Sequence, residues 1–293
     1  MGQGSEVPVR VARGRRAADE WALVLVAEGL APRVWRAPEG FAVGVDANDL
    51  DRAAAALDAY DHENPPARTH DSDRTPPSDG AFLAGLGASV ALLVFFTITG
   101  ARDPGVRWFA RGAADAQRIG DGELWRTVTA LTLHADLTHV AANAAIGAWF
   151  FTAVCRALGP GLGGALLLLA GAGGNFANAV LHGAGHSSVG ASTAVFAAVG
   201  LLGGLAVTRR RRRGLRGRHA WIPVAASIGL LAMLGTAGER VDLWAHASGL
   251  GVGAALGLAA GRIWHRPPAA AAQWSLGVAA LAVLLGCWSL ALQ

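Results

Sequence analysis

Few residues in this chain combine chemical capability with an unusual setting, and they fall in three apolar stretches. Ser192 follows Gly190 and Ala191 in SSVGASTAVFAAVGLLGGLAV, residues 187–207. His139 and Asn143 stand four residues apart in LHADLTHVAANAAIG, and so on one face of a helix. His246 follows Asp242 by four residues in VDLWAHASGLGVGAALGLAAG. A lone hydroxyl in an apolar helix ordinarily bonds back to its own backbone. A serine with a histidine to take its proton is an activated nucleophile, and the chemistry that fits is acyl transfer: His246 accepts the proton of Ser192 and later returns it to the leaving amine. The oxyanion that develops needs fixed donors. His139, Asn143 and the backbone N–H of Ser192 at a helix start would supply them. Asp242 either orients His246 or caps its helix, and the capping use favours a Ser–His dyad over a triad.

For those residues to meet, the elements carrying them must enter one layer from the same side. The chain has 293 residues, 53% hydrophobic, with a mean hydropathy of +0.36, which points to membrane burial. Seven apolar runs approach the span length of about 20 residues, at 81–99, 136–157, 162–182, 188–208, 220–236, 242–263 and 272–292. The basic run RRRRRGLRGR, residues 209–218, assigns the loop after the fourth span to the cytoplasm. The amino terminus is then cytoplasmic and the carboxyl end outside. Spans two, four and six all run from outside to inside, so Ser192, His246, His139 and Asn143 share one depth near the outer face. Polar groups are costly there and mark a functional site. Loop 100–126 disagrees with the rule, carrying five arginines, and is expected to be an ordered, partly interfacial element in which Trp108, Phe109, Leu124 and Trp125 lie at the membrane surface. Gly249, Gly253, Gly257 and Gly261 form a flat stripe below His246, with Gly200, Gly203 and Gly204 as the matching surface on span four.

The remainder is accessory. Residues 1–63 read as a small α/β cytosolic domain of order β-α-β-β-α, with Asp49 as a cap for its last helix, and residues 64–80 as a proline-rich linker. No removable signal peptide opens the chain, so the first span does the targeting. The net charge of +4 comes with arginine as the only basic side chain besides histidine, clustered between apolar runs, which suits anionic lipid and excludes a nucleic-acid face. Cys155 and Cys287 read as apolar fillers. His182 and His186 could suggest a metal site together with His134 and His139, as in a metal transporter. The glycines between them argue for a turn, and no acid or thiol completes a ligand set, so no metal and no cofactor is expected.

Over residues 80–265 the chain resembles the rhomboid intramembrane serine proteases. The resemblance rests on ELWR (Glu123 to Arg126), on His134, His139 and Asn143 spaced H-x4-H-x3-N, on G-x-S at Gly190 to Ser192, and on A-H-x-x-G at Ala245 to Gly249. It implies an all-α polytopic membrane protein, a rhomboid-like six-helix catalytic bundle at 81–265 with an extra carboxyl-terminal transmembrane helix at 266–293. It also implies Ser192 as nucleophile, His246 as base, His139 and Asn143 at the oxyanion, and transmembrane-helix proteins as substrates cut near their outer end. Gly190, His134, Asp242 and Gly249 are the supporting positions. The expected setting is a bacterial inner (plasma) membrane. Thr193 departs from the G-x-S-G pattern: its bulk either crowds the contact between spans four and six or is harmless. A proteolytically inactive relative that binds membrane helices is the alternative function.

Overall fold

A computed structural model describes residues 6–64, 79–215, 217–234 and 242–293. The expected linker therefore lies almost wholly outside the described residues. The chain forms two compact units, residues 1–74 and 75–293.

In the first unit, strands β1 (Glu6–Ala12), β2 (Arg33–Ala37) and β3 (Gly40–Asp46) form an antiparallel sheet of order β1-β3-β2. Helices α1 (Arg15–Ala27) and α2 (Leu50–Glu63) bury Leu25, Ala53 and Leu57 against Val43 and Val45. Asp49 makes no side-chain cap. A 3-10 turn over Ala47–Asp49 moves the capping position forward, and Asp46 accepts from the Asn48 N–H instead.

The second unit is helical: α3 (Asp79–Thr99), α7 (Leu137–Leu158), α8 (Pro160–His182), α9 (Ser192–Arg212), α10 (Arg218–Leu234), α11 (Leu243–Ile263) and α12 (Ala270–Leu292). Six of these are long and apolar enough to cross a membrane; α10, with 17 residues and Pro223 inside it, is the shortest. Between α3 and α7 the chain winds through α4 (Arg107–Gly112), strand β4 (Ala114–Asp115), α5 (Ala116–Gly120), α6 (Arg126–Thr129) and a 3-10 turn (Ala130–Thr132). Strand β5 (Ser187–Ser188) pairs with β4 and fastens the α8–α9 loop to this segment. Between α7 and α8, Gly159 takes a positive φ of 86° that stops one helix, and Pro160 opens the next.

The glycine stripe is where backbones touch. A methyl carbon on Gly249 would lie 2.2 Å from the Thr193 carbonyl oxygen, one on Gly253 2.1 Å from that of Ala197, and one on Gly257 2.2 Å from that of Leu201. Both series rise together along the chain, so α9 and α11 run parallel. From the other side Gly200 and Gly204 abut the carbonyls of Leu250 and Ala254. Gly203 does not belong to that surface: it faces Ser227 of α10, because its side of α9 is turned about 100° from Gly204.

The last helix braces this bundle. Gln273 Oε1 accepts from the N–H groups of Gly161 and Leu162, and its Nε2 donates to the Leu158 carbonyl, so one side chain satisfies the end of α7 and the start of α8. Trp288, near the end of α12, is buried against Phe109 and Leu133 and donates to Thr132 Oγ1. Phe109 is likewise core rather than interface.

Candidate active site

The first turns of α7, α9 and α11 and the last turn of α8 wall one cavity of about 1210 Å³. Ser192, His246, His139 and Asn143 all line it. Ser192 is the first residue of α9, not a turn inside it, since residues 189–191 form a separate approach. That approach is pinned twice: the Gly190 N–H donates to the Ala130 carbonyl at 2.9 Å, and the Ala191 N–H to His134 Nε2 at 3.3 Å. Gly190 is required there, because its φ is 134° and a methyl carbon on it would sit 2.7 Å from His139 Cε1 and 3.6 Å from Ser192 Oγ. The Ser192 amide, in the opening turn of a helix, has no intrahelical acceptor.

His139 is oriented by its own helix entry. Asp136 caps α7 through the His139 N–H, and His139 Nδ1 accepts from the Ala135 N–H at 3.3 Å. With Nδ1 accepting, the ring proton belongs on Nε2, beside Gly190 and Ser192. Asn143 donates one amide hydrogen to the His139 carbonyl at 3.0 Å and keeps a second for the cavity. Both are thus built as donors.

His246 is 92% buried, with its ring 4.5 Å from that of Phe196, one turn below Ser192 on α9. The hydroxyl and the imidazole share the wall of this cavity. Phe196, absent from the sequence expectations, was signalled only by its spacing of four from Ser192. Asp242 is fully engaged away from His246. One oxygen accepts from the Ala245 N–H at 3.0 Å, and the other meets His186 Nε2 at 2.8 Å and Asn178 Nδ2 at 2.9 Å.

Thr193 finds room. It is buried, and its Cγ2 lies 2.7 Å from where Gly174 would carry a methyl and 3.1 Å from the same point on Gly249, so two glycines on α8 and α11 form the notch that receives it. The contact of α9 with α11 is close despite the extra bulk.

Arg126 and His134 support the site from beneath. The Arg126 side chain, only 1% exposed, bonds Glu123 at 2.6 Å and the carbonyls of Ala110 and Ala113 at 3.0 Å each, tying the ELWR segment to α4. His134 is fully buried, and burial, with His139 beside it, lowers its pKa to about 4. An unfolded chain takes up this proton near pH 6.5. The stability from neutral His134 is therefore complete above that pH and is lost as pH falls through 4. Thermal unfolding from pH 7 to 4 is expected to show a fall of several degrees that His134→Gln lacks; parallel profiles would contradict this.

One expectation needs correcting. His182 and His186 do have an acid beside them: with Asp242 they place three ligand-type atoms within 4.8 Å of one another, without His134 or His139. Asn178, on α8 and 1% exposed, completes the group and was also missed. The only signal was a polar residue inside an apolar helix.

No curated protein matches the chain. Residues 121–263, which span the cavity walls, match the family model of the rhomboid domain. Residues 121–263 thus carry a rhomboid domain, and with its several apolar helices the chain is a multi-pass membrane protein.

Proposed function

We propose that this chain is an intramembrane serine endopeptidase that cuts single-span membrane proteins in or near their transmembrane helices. One observation carries the reading: Ser192 and His246 head two parallel helices in wall-to-wall contact and line the same cavity as His139 and Asn143. In this mechanism Ser192 Oγ attacks the peptide carbonyl while His246 takes its proton. The oxyanion is held by His139 Nε2–H, the second hydrogen of Asn143 Nδ2 and the Ser192 amide. Collapse of the tetrahedral adduct releases the amine with the proton from His246, and a cavity water then hydrolyses the acyl-enzyme by the same steps in reverse roles. The substrate helix unwinds locally to present its bond.

In this reading the arginine run after α9 is cytoplasmic, as the positive-inside rule favours, and the cavity opens on the outer side of a bacterial plasma membrane. Loop 100–126 keeps its outer assignment by the number of spans between it and the arginine run, and four of its five arginines are engaged by the fold. Arg126 is paired with Glu123, Arg118 lies 3.5 Å from Glu123, Arg102 bonds Ser187 and Arg107 bonds the Leu292 carbonyl. Thr193 is the one feature that favours a non-cleaving relative, and its glycine notch removes the steric objection.

Detergent-purified protein is expected to cleave a model single-span substrate; no cleavage by wild type would favour the helix-binding alternative. Removing one oxyanion donor is expected to lower kcat by about 10²-fold with KM little changed. His139→Ala and Asn143→Ala check this in steady-state assays, and a change confined to KM would assign those residues to substrate binding instead.

A further inference from the structure

The cavity has a second polar cluster on its wall that the proteolytic reading leaves without a role. Asn178 and His182 come from the last turns of α8, His186 from the α8–α9 loop, and Asp242 from the head of α11; the last three line the cavity, and Asn178 is buried beside them. Three atoms form a tight triangle: His186 Nε2 to Asp242 Oδ2 at 2.8 Å, Asn178 Nδ2 to Asp242 Oδ2 at 2.9 Å, and Asn178 Nδ2 to His186 Nε2 at 3.1 Å. Ligand atoms about 2.0–2.1 Å from a tetrahedral ion stand about 3.3 Å apart, so this triangle is already close to the face of such a shell. His182 lies over it, its ring stacked 4.1 Å from that of His186, with Nδ1 held 3.2 Å from the Asn178 carbonyl oxygen and Nε2 left as the ligand atom.

Asn178 supplies the independent sign. Its Oδ1 is buried without a hydrogen-bond partner, while its Nδ2 crowds a histidine nitrogen and a carboxylate together. Turning the amide over brings the oxygen into the triangle. That arrangement suits a cation at the centre and is poor around a proton, because two oxygens would then face each other.

We propose that Asp242, His186, His182 and Asn178 form a binding site for a divalent transition-metal ion, zinc being the best fit, on the wall of the reaction cavity. Two imidazoles, a carboxylate and an amide oxygen make an N/O donor set that zinc accepts in tetrahedral form and that magnesium and calcium, which take oxygen ligands, do not. His182 is exposed, and its ligand atom lies within 4.8 Å of those of His186 and Asp242, so its ring has only to close on the ion. The cap on α11 survives, since Asp242 Oδ1 stays with the Ala245 N–H while Oδ2 turns to the metal. The ion then ties the end of α8 and the α8–α9 loop to the start of α11, on the rim of the reaction cavity. For its effect on turnover, this inference rests on the proteolytic reading.

The test is calorimetric titration of the full, tag-free chain in detergent with Zn2+, joined to the visible absorption of added Co2+. Wild type and Ser192→Ala are expected to bind one ion in the micromolar range and to give the intense Co2+ bands of a tetrahedral site. His182→Ala, at an exposed position that leaves the fold intact, is expected to weaken binding at least tenfold, and His182→Ala with His186→Ala to abolish it. No saturable binding, or equal binding by the double variant, overturns the site. Zinc is further expected to slow cleavage by wild type in step with its binding isotherm and to leave His182→Ala unaffected; binding without slowing overturns the coupling. Because the ion is titrated without substrate, an inactive protease and a missing metal site give different results.

Discussion

Ser192→Ala is expected to reduce cleavage of a single-span substrate by at least about 10³-fold while leaving the protein folded and its substrate bound. The hydroxyl does no structural work: Ser192 is partly exposed to the cavity, and α9 is started by the pinning of Gly190 and Ala191, which the substitution leaves alone. His246→Ala is expected to cost a similar factor, because a serine with no base is a weak nucleophile at neutral pH. The double variant is expected to be no worse than either single one, since the two act as a unit. Additive losses in a gel-based cleavage assay would mean that the residues work separately, and the dyad would fall.

Gly253→Val is expected to have the second largest effect, although Gly253 is two turns from the chemistry. Its first side-chain carbon would lie 2.1 Å from the Ala197 carbonyl oxygen, a backbone atom that no rotamer change can move. The helices must part, at about 1–3 kcal/mol for overpacking. His246 rides on the displaced helix, and an ångström of misplacement costs about 10² in rate. Gly251→Val is the control: it has the same loss of glycine and the same β-branching, on a face with nothing within 4 Å. We expect Gly253→Val to lower the melting temperature by several degrees and activity by about 10²-fold, and Gly251→Val to do neither. Equal behaviour of the two would show that close approach of α9 and α11 is not what aligns the site.

The helices and the polar positions were legible because membrane burial makes both conspicuous: apolar runs of span length, and rare side chains that those runs ought not to contain. The parallel course of α9 and α11 followed from counting spans, and the four-residue glycine period marked their contact. Details that depend on a partner far along the chain were not legible. Gly203 carries the same signal as Gly204, and only the rotation of α9 sends it to Ser227 on α10. Trp288 sits near a span end as an interfacial tryptophan would, yet the loop before α7 folds over it and buries it. His182 and His186 were read as lacking an acid because none is near them in sequence, whereas Asp242, 56 residues beyond His186, arrives when α11 packs beside α8. Periodicity reports which face of a helix is apolar; it does not report which neighbour that face meets.

The central claim is that packing α9 against α11 makes the Ser192 hydroxyl a nucleophile through His246. A fluorophosphonate probe tests it without knowledge of any substrate, since it phosphonylates a serine only where a base has activated it. Intact-mass spectrometry and peptide mapping after incubation of the detergent-purified chain should find a single phosphonyl adduct on Ser192 in wild type. They should find none in Ser192→Ala or His246→Ala, and slower labelling in Gly253→Val. No adduct on wild type, or labelling of Ser192 that survives His246→Ala at the same rate, would contradict the account.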